Sequence, residues 1–309
     1  MNNYIIEPAP HIKSKITTQK IMLQVIIAMI PGVIASTVIY GLRALLMIVI
    51  CSTACVLSEW LFEKATKRPK TISDLSAVVT GILLAFNLPP TLPFYMGIIG
   101  SVAAIVVVKN FFGGIGQNFA NPAITARVIL MLSFSSYMTT WAQPFYYNLT
   151  ADAVSTATPL TSDEAPELLE LLLVKSGCIG ECCSAALLLG GIYLIAARII
   201  NPITPIAYIG TVAALTWLTG GDVLIQVLSG GLILGAFFMA TDYATTPITW
   251  KGKLIFAVGC GLLTFLIRTF GTMPEGVSYS ILIMNILTPF IDKLTESHPF
   301  GAKKEGASK

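Results

Sequence analysis

Apolar runs set the order of this chain. Ten of them, at about 21–40, 43–62, 74–88, 93–109, 122–136, 184–200, 203–219, 223–240, 253–270 and 277–293, are separated by short polar stretches. One long polar interruption, 137–183, divides them five and five. Several runs reach the roughly 20 residues that carry an α-helix across a bilayer core. The pattern therefore predicts an all-α integral membrane protein of about ten transmembrane helices. The third run is short and ends in NLPPTLP, so a broken or half-length helix is expected there. Gly and Pro punctuate other runs, as in helices interrupted where they line a cavity.

The two halves resemble each other. LSAVVTGILLAF (75–86) is similar to IQVLSGGLILGAFF (225–238). GIIGSVAAIVVVKNFFGG (97–114) is similar to FAVGCGLLTFLIRTFG (256–271), which sets Lys109 against Arg268. Five spans is an odd number, so a repeat of five must insert in the opposite sense, giving two inverted five-helix repeats. The expected organisation is an N-terminal segment with the first repeat (1–136), a loop (137–183), the second repeat (184–295) and a tail (296–309).

Composition agrees and charge adds orientation. The chain is 55% hydrophobic and 11% charged over 309 residues, and its mean hydropathy is +0.78. Soluble domains carry about 25% charged residues. With a cytoplasmic N-terminus, 15 of the 19 lysines and arginines fall on the inner side. The positive-inside rule then places both termini in the cytoplasm and 137–183 outside. The opening residues, MNNYIIEPAPHIKSKITTQK, lack signal-peptide anatomy. A net charge of +3 gives no reason to expect nucleic acid as a partner.

Candidate chemistry is sparse. The only histidines are His11 and His298, near the ends, which argues against haem or catalytic zinc within the membrane. GGIGQN (113–118) follows an apolar span rather than a strand of a βαβ unit, so a dinucleotide-fingerprint reading fails its context. Cys51, Cys55 and Cys260 read as small buried hydrophobes. CIGECC (178–183) lacks four ligands at a metal-site spacing and reads as small residues opening a helix, so no metal site is expected.

Charged groups in or beside spans remain. Glu59, Asp74 and Asp222 fit snorkelling or helix capping as well as function. Arg127, inside the fifth span, and Asp242, ending FFMATD, are harder to explain away and are candidates for ion coupling. Asn118 and Asn121 in NFANPA could cap a helix or hydrogen-bond a planar ligand. DAVSTATPLT (152–161) is either a solvated loop or an attachment point.

Seven motifs, in order, carry a resemblance. PHIKSKITTQKIM, SDLSAVVTGILLAFNLPP, GGIGQNFANPAITAR, STATPL, FMATDYATTPIT, LLTFLIRTFG and PEGVSYSILIMN resemble the family of the D subunit of the Rnf ion-translocating electron-transport complex. The related B subunit of the sodium-pumping NADH:quinone oxidoreductase shares this layout. The resemblance runs from about Pro8 to Asp292. It implies ten helices in inverted repeats, a membrane subunit that is not catalytic alone, and electron transfer between reduced ferredoxin and NAD coupled to Na⁺ or H⁺ transport in a prokaryotic cell membrane.

It also implies FMN joined through its phosphate to Thr158 in a D-x-x-S/T-x-A-T motif, which Asp152, Ser155 and Ala157 complete. A separate flavin transferase would make that bond. Non-covalent riboflavin is implied within the helices, and the Asn118/Asn121 region is its candidate place. The implied partners are the A, B, C, E and G types of subunit, above all an external FMN-bearing G subunit. Where this chain has IGECCS, the family more often has IGE followed by Thr and Ser. Two alternatives stay open at this point: a quinone-linked B subunit, and a solute channel or carrier built from inverted repeats.

Overall fold

The computed structural model describes residues 16–68, 71–148, 155–156, 160, 168–271 and 276–296. Each apolar run contains helix. Four helices are long and apolar enough to cross a membrane: α1 (Thr18–Tyr40), α2 (Leu42–Thr66), α12 (Trp250–Phe270) and α13 (Gly276–Thr295). Between them lie α3 (Ser76–Phe86), α4 (Phe94–Val102), α5 (Pro122–Ser133), α6 (Ser135–Met138), α7 (Leu168–Leu173), α8 (Ser184–Ala196), α9 (Ile203–Leu218), α10 (Val223–Leu228) and α11 (Leu232–Leu234). Two-residue strands β1 (Trp141–Ala142) and β2 (Ser155–Thr156) pair antiparallel in the 137–183 segment. The chain is an all-α, multi-pass membrane protein.

The faces of α1 show why. Ile27, Ile30, Ile34 and Val38, spaced by three or four residues, form an exposed apolar stripe. The inward face carries Ala28, Met29, Gly32 and Ser36. Large apolar groups outside and small ones inside suit helices that pack closely and face lipid. Gly81 is one such close approach, since a Cβ there would lie 2.5 Å from the Ser52 Cα of α2.

The third and eighth runs are interrupted, in different ways. α3 has 11 residues, about 16 Å at 1.5 Å per residue, roughly half of a bilayer core. It starts after Leu75 in the left-handed region (φ +65°) and ends at Asn87 before LPPTLP. The eighth run begins as α10, breaks at Ser229–Gly231 and resumes as α11, which continues as a π-helical turn, Gly235–Met239. Gly230 (φ +63°) and Gly231 (φ +70°) make the break, a conformation that costs glycine little. α4 likewise runs into a π-helical stretch, Ala103–Asn110, that carries Lys109 into the interior.

Candidate functional site

Polar groups gather at both ends of the bundle and at its middle. One end is an open cavity of about 780 Å³, counting the part open to solvent. Its lining draws on the start of α1, α3 and α5, and on the ends of the α4 and α11 runs. Asn118, Asn121 and Asp242, three of the candidates read from sequence, line it together with Lys109, Ser76 and Phe237.

Their roles differ. The Asn121 side-chain oxygen caps α5, accepting from the N–H groups of Ala123 (3.0 Å) and Ile124 (3.4 Å). Pro122, at the first helical position, costs no hydrogen bond there. The Asn118 Oδ1, by contrast, is buried without a hydrogen-bond partner. A buried acceptor left open beside a cavity is a ready partner for a ligand N–H. Asp242 accepts from Ala244 N–H at 3.4 Å and from the Thr245 hydroxyl at 3.1 Å, which folds the turn after the π-helix.

Sequence reasoning missed the ion pair beside this cavity. Lys109 and Glu59 are 2% and 0% exposed and lie 2.6 Å apart. The Lys109 ammonium also donates to the Ser76 hydroxyl at 2.6 Å. Thr71 ties in a second acid, donating its hydroxyl to Glu59 at 3.1 Å and to Glu63 at 2.5 Å. Glu59 is thus neither snorkelling nor capping. Asp222 caps α10, accepting from Leu224 N–H at 2.9 Å, and Asp74 closes the turn before α3, accepting from Ser76 N–H at 2.8 Å.

The opposite end is built around the Ser229–Gly231 break. α1 and α8 fix its position, because Ile21 and Leu194 line the cavity. Tyr40 and Ser184, at the far ends of those helices, bind Lys175. Arg268 donates to the carbonyls of Gln226 (2.6 Å), Ser229 (3.0 Å) and Gly230 (3.0 Å). Lys175, 5% exposed, donates to the Ser184 hydroxyl at 2.6 Å and to the Leu228 carbonyl. Burial pulls the Lys175 ammonium down to about 8, and Glu181 opposes that pull. The Glu181 carboxylate is itself buried, with Oε1 against Gly231, where a Cβ would come within 2.5 Å. Leu160 reaches the same place, its Cδ1 2.5 Å from where a Gly230 Cβ would stand.

Arg127 lies between the two ends and is 2% exposed. It donates to the Asn87 side-chain oxygen (2.8 Å), the Ser278 hydroxyl (3.0 Å) and the Cys178 sulfur (3.3 Å). The Cys178 thiol in turn donates to the Asn87 carbonyl. Asn87 and Ile179 join the 174–183 segment to the end of α3, since Ile179 N–H donates to the Leu88 carbonyl at 3.0 Å. The structure therefore separates Arg127 from Asp242. CIGECC is a buried turn ahead of α8, and all six thiols of the chain are free. Among the described residues no group of three or more His, Cys, Asp or Glu side chains could hold a metal ion. Asp152, Ala157 and Thr158 lie outside the described residues, as do His11 and His298, and of Ser155 only the strand backbone is described.

Comparison with known proteins adds identity to this geometry. A family model described as the NQR2, RnfD, RnfE family matches residues 5–301. A protein of Acetobacterium woodii, named as the D subunit of a Na⁺-translocating ferredoxin:NAD⁺ oxidoreductase complex, is 47% identical, over 98% of this chain and 96% of its own. A Clostridium ljungdahlii protein, named as the D subunit of a proton-translocating ferredoxin:NAD⁺ oxidoreductase complex, is 42% identical, over 98% of each. An Escherichia coli protein, named as the D subunit of an ion-translocating oxidoreductase complex, is 34% identical, over 97% of this chain and 99% of its own. By a match over nearly its full length, the chain belongs to the NQR2, RnfD, RnfE family.

Proposed function

We propose that this chain is the flavin-carrying D-type membrane subunit of an ion-translocating ferredoxin:NAD⁺ oxidoreductase complex, coupled to Na⁺ or H⁺. Family membership and the names of its relatives support the complex. The observation that carries the flavin part is the cavity with the open, buried Asn118 oxygen. Its lining, mostly apolar with a few convergent polar groups, is the kind found in small-molecule sites.

Riboflavin suits that cavity. Asn118 would accept a ring N–H, the Asn121 amide nitrogen would donate, and Phe237 with Phe238 would form an apolar wall. Lys109, held by Glu59 and Ser76, lines the cavity as part of a buried ion pair. A bound flavin supplies one- and two-electron chemistry, and the chain supplies position, dielectric and charge. Asn118 and Asn121 would orient the ring, and the aromatic wall would exclude water.

The second flavin would be FMN, joined as a phosphoester to Thr158 by a separate flavin transferase that reads Asp152, Ser155 and Ala157. In this reading the termini are cytoplasmic and 137–183 is external, facing an FMN-bearing G-type subunit. The remaining A, B, C and E types would complete the assembly. The organisation is then a first repeat to residue 136, the external loop, and a second repeat from 184 to 295. Asp242, which lines the cavity, is the coupling candidate placed to respond to flavin charge, whereas Arg127 does not line it.

Mass spectrometry of the intact chain, expressed with the transferase, tests the attachment. The expected result is an added FMN mass within 152–161 that disappears in Thr158→Ala. An unmodified wild-type chain, or FMN retained in Thr158→Ala, overturns it.

A further inference from the structure

The outer face of α2 is a single stripe from end to end. Leu42, Leu46, Val49, Thr53, Leu57 and Trp60 are exposed and spaced by three or four residues, so they share that face. Thr53, its one hydroxyl, donates back to the Val49 carbonyl at 2.8 Å, so its donor is spent inside the helix. From Leu42 to Trp60 the stripe rises about 27 Å at 1.5 Å per residue, close to the roughly 30 Å of a bilayer core. The next positions on it are Lys64 and Lys67, and Arg68 adjoins them; all three are exposed. The apolar face therefore ends in three cations at head-group depth, with a tryptophan at the boundary. We propose that the end of α2 binds an anionic phospholipid, whose phosphate meets Lys64, Lys67 and Arg68 while its acyl chains lie along the stripe.

Trp60, Glu63, Lys64, Lys67 and Arg68 line an open concavity of about 750 Å³, counting the part open to solvent. The Lys64 ammonium lies over the Trp60 ring, 4.9 Å from its centroid, and the Arg68 guanidinium lies over Phe62 at 5.5 Å. Arg68 also donates to the Asn110 carbonyl at 2.9 Å. Rings and a carbonyl hold these cations in place without cancelling them, because none carries a formal charge. Among the described residues the only ion pair is Lys109 with Glu59, so none of the three is matched to an acid. The one acid of the concavity, Glu63, is 5% exposed, and its Oε1 accepts from the Thr71 N–H at 2.9 Å and hydroxyl at 2.5 Å. Three cations against that single carboxylate leave the concavity positive. Phe111, packed on Phe62 with centroids 5.8 Å apart, and Phe112 extend the exposed aromatic border. A zwitterionic head group would bring a further cation to this cluster, whereas a net-negative one does not. A free anion would leave the apolar stripe uncovered, which a phospholipid does not. The site is independent of the function proposed above.

The test is tryptophan quenching by phospholipids brominated on their acyl chains, titrated into the full chain delipidated in detergent. The chain has 4 tryptophans, so the Trp60 share is the difference between wild type and Trp60→Phe. Brominated phosphatidylglycerol is expected to quench that share at a concentration at least tenfold below brominated phosphatidylcholine. Lys64→Gln with Lys67→Gln should lose this preference, and Lys64→Arg with Lys67→Arg, which keeps both charges, should retain it. Both pairs change exposed side chains and spare the packed interior. Equal quenching of wild type by the two lipids overturns the site. So does a Gln pair that keeps the preference, or an Arg pair that loses it. Inorganic phosphate that displaces the lipid at matched concentration would assign the cations to free anions and overturn the lipid. In the assembled complex, a Trp60 that brominated phosphatidylglycerol fails to reach would assign the face to a neighbouring subunit, and likewise overturns it.

Discussion

Lys109 and Arg268 occupy corresponding places in the two halves, yet the chain satisfies them by opposite means. Each lies at an interruption of its half's third span, Lys109 at Ser76 where α3 begins and Arg268 at Ser229–Gly230 where α10 stops. Lys109 is a compact ammonium on a carboxylate, 2.6 Å from Glu59. Arg268 is a planar fork spread over backbone carbonyls and the Gln226 side chain. The first arrangement pairs a buried charge directly, and the second spreads it over neutral acceptors, with the Glu181 carboxylate close by at Gly231. A cavity beside a paired charge can admit a neutral planar ligand, while the carbonyls of a break taken up by a guanidinium are no longer open to one. The two aligned positions thus do different work, one beside a cavity and the other closing a break.

Neutralising one partner at each end tests that contrast most strongly. Glu59→Gln strands a buried ammonium, and breaking a buried pair costs about 3–5 kcal/mol. Arg268→Gln frees backbone acceptors and leaves Glu181 with Lys175 as its nearby cation, at about 1–3 kcal/mol. Thermal unfolding in detergent should rank Glu59→Gln well below Arg268→Gln. Equal losses would mean that the two ends are held by the same kind of interaction.

A smaller effect comes from Lys175, behind the break. Its native value, about 8, lies below the ordinary lysine value of 10.5. Between those values the unfolded chain binds the extra proton, so stability rises with pH from about 8 to about 10.5 and is flat in this contribution below 8. The full span is worth about 3 kcal/mol. Lys175→Met should remove that rise, measured as the difference in melting temperature against wild type across the range. An unchanged slope would show that the Lys175 ammonium is not desolvated at this end.

Much of this was legible in the sequence, for physical reasons. The ten apolar runs became helices because a bilayer leaves backbone groups no partner outside the segment. NLPPTLP ended α3 because proline cannot continue a helix. Asn118 and Asn121 were marked together and Asp242 apart from them, and the fold brings all three to one cavity. The buried partners were not legible. Glu59 looks like an end-of-span acid and Glu181 like an external-loop acid until the helices that bury them are placed. Lys175 reads as a loop cation, although it lies on Ser184 and the Leu228 carbonyl, 53 residues away in the second case. Arg127 was marked by its cost in a span, but its acceptors come from three distant segments. The alignment of Lys109 with Arg268 was the one signal that both ends carry a cation.

The most direct measurement is the flavin content of the purified complex after denaturation, chain by chain, in wild type and Asn118→Leu. The account expects one flavin that stays on this chain and a second that is released from the wild type. It expects Asn118→Leu to lose at least tenfold in affinity for the released flavin while the retained one is unchanged. An Asn118→Leu complex that releases flavin at the wild-type level and affinity would contradict it.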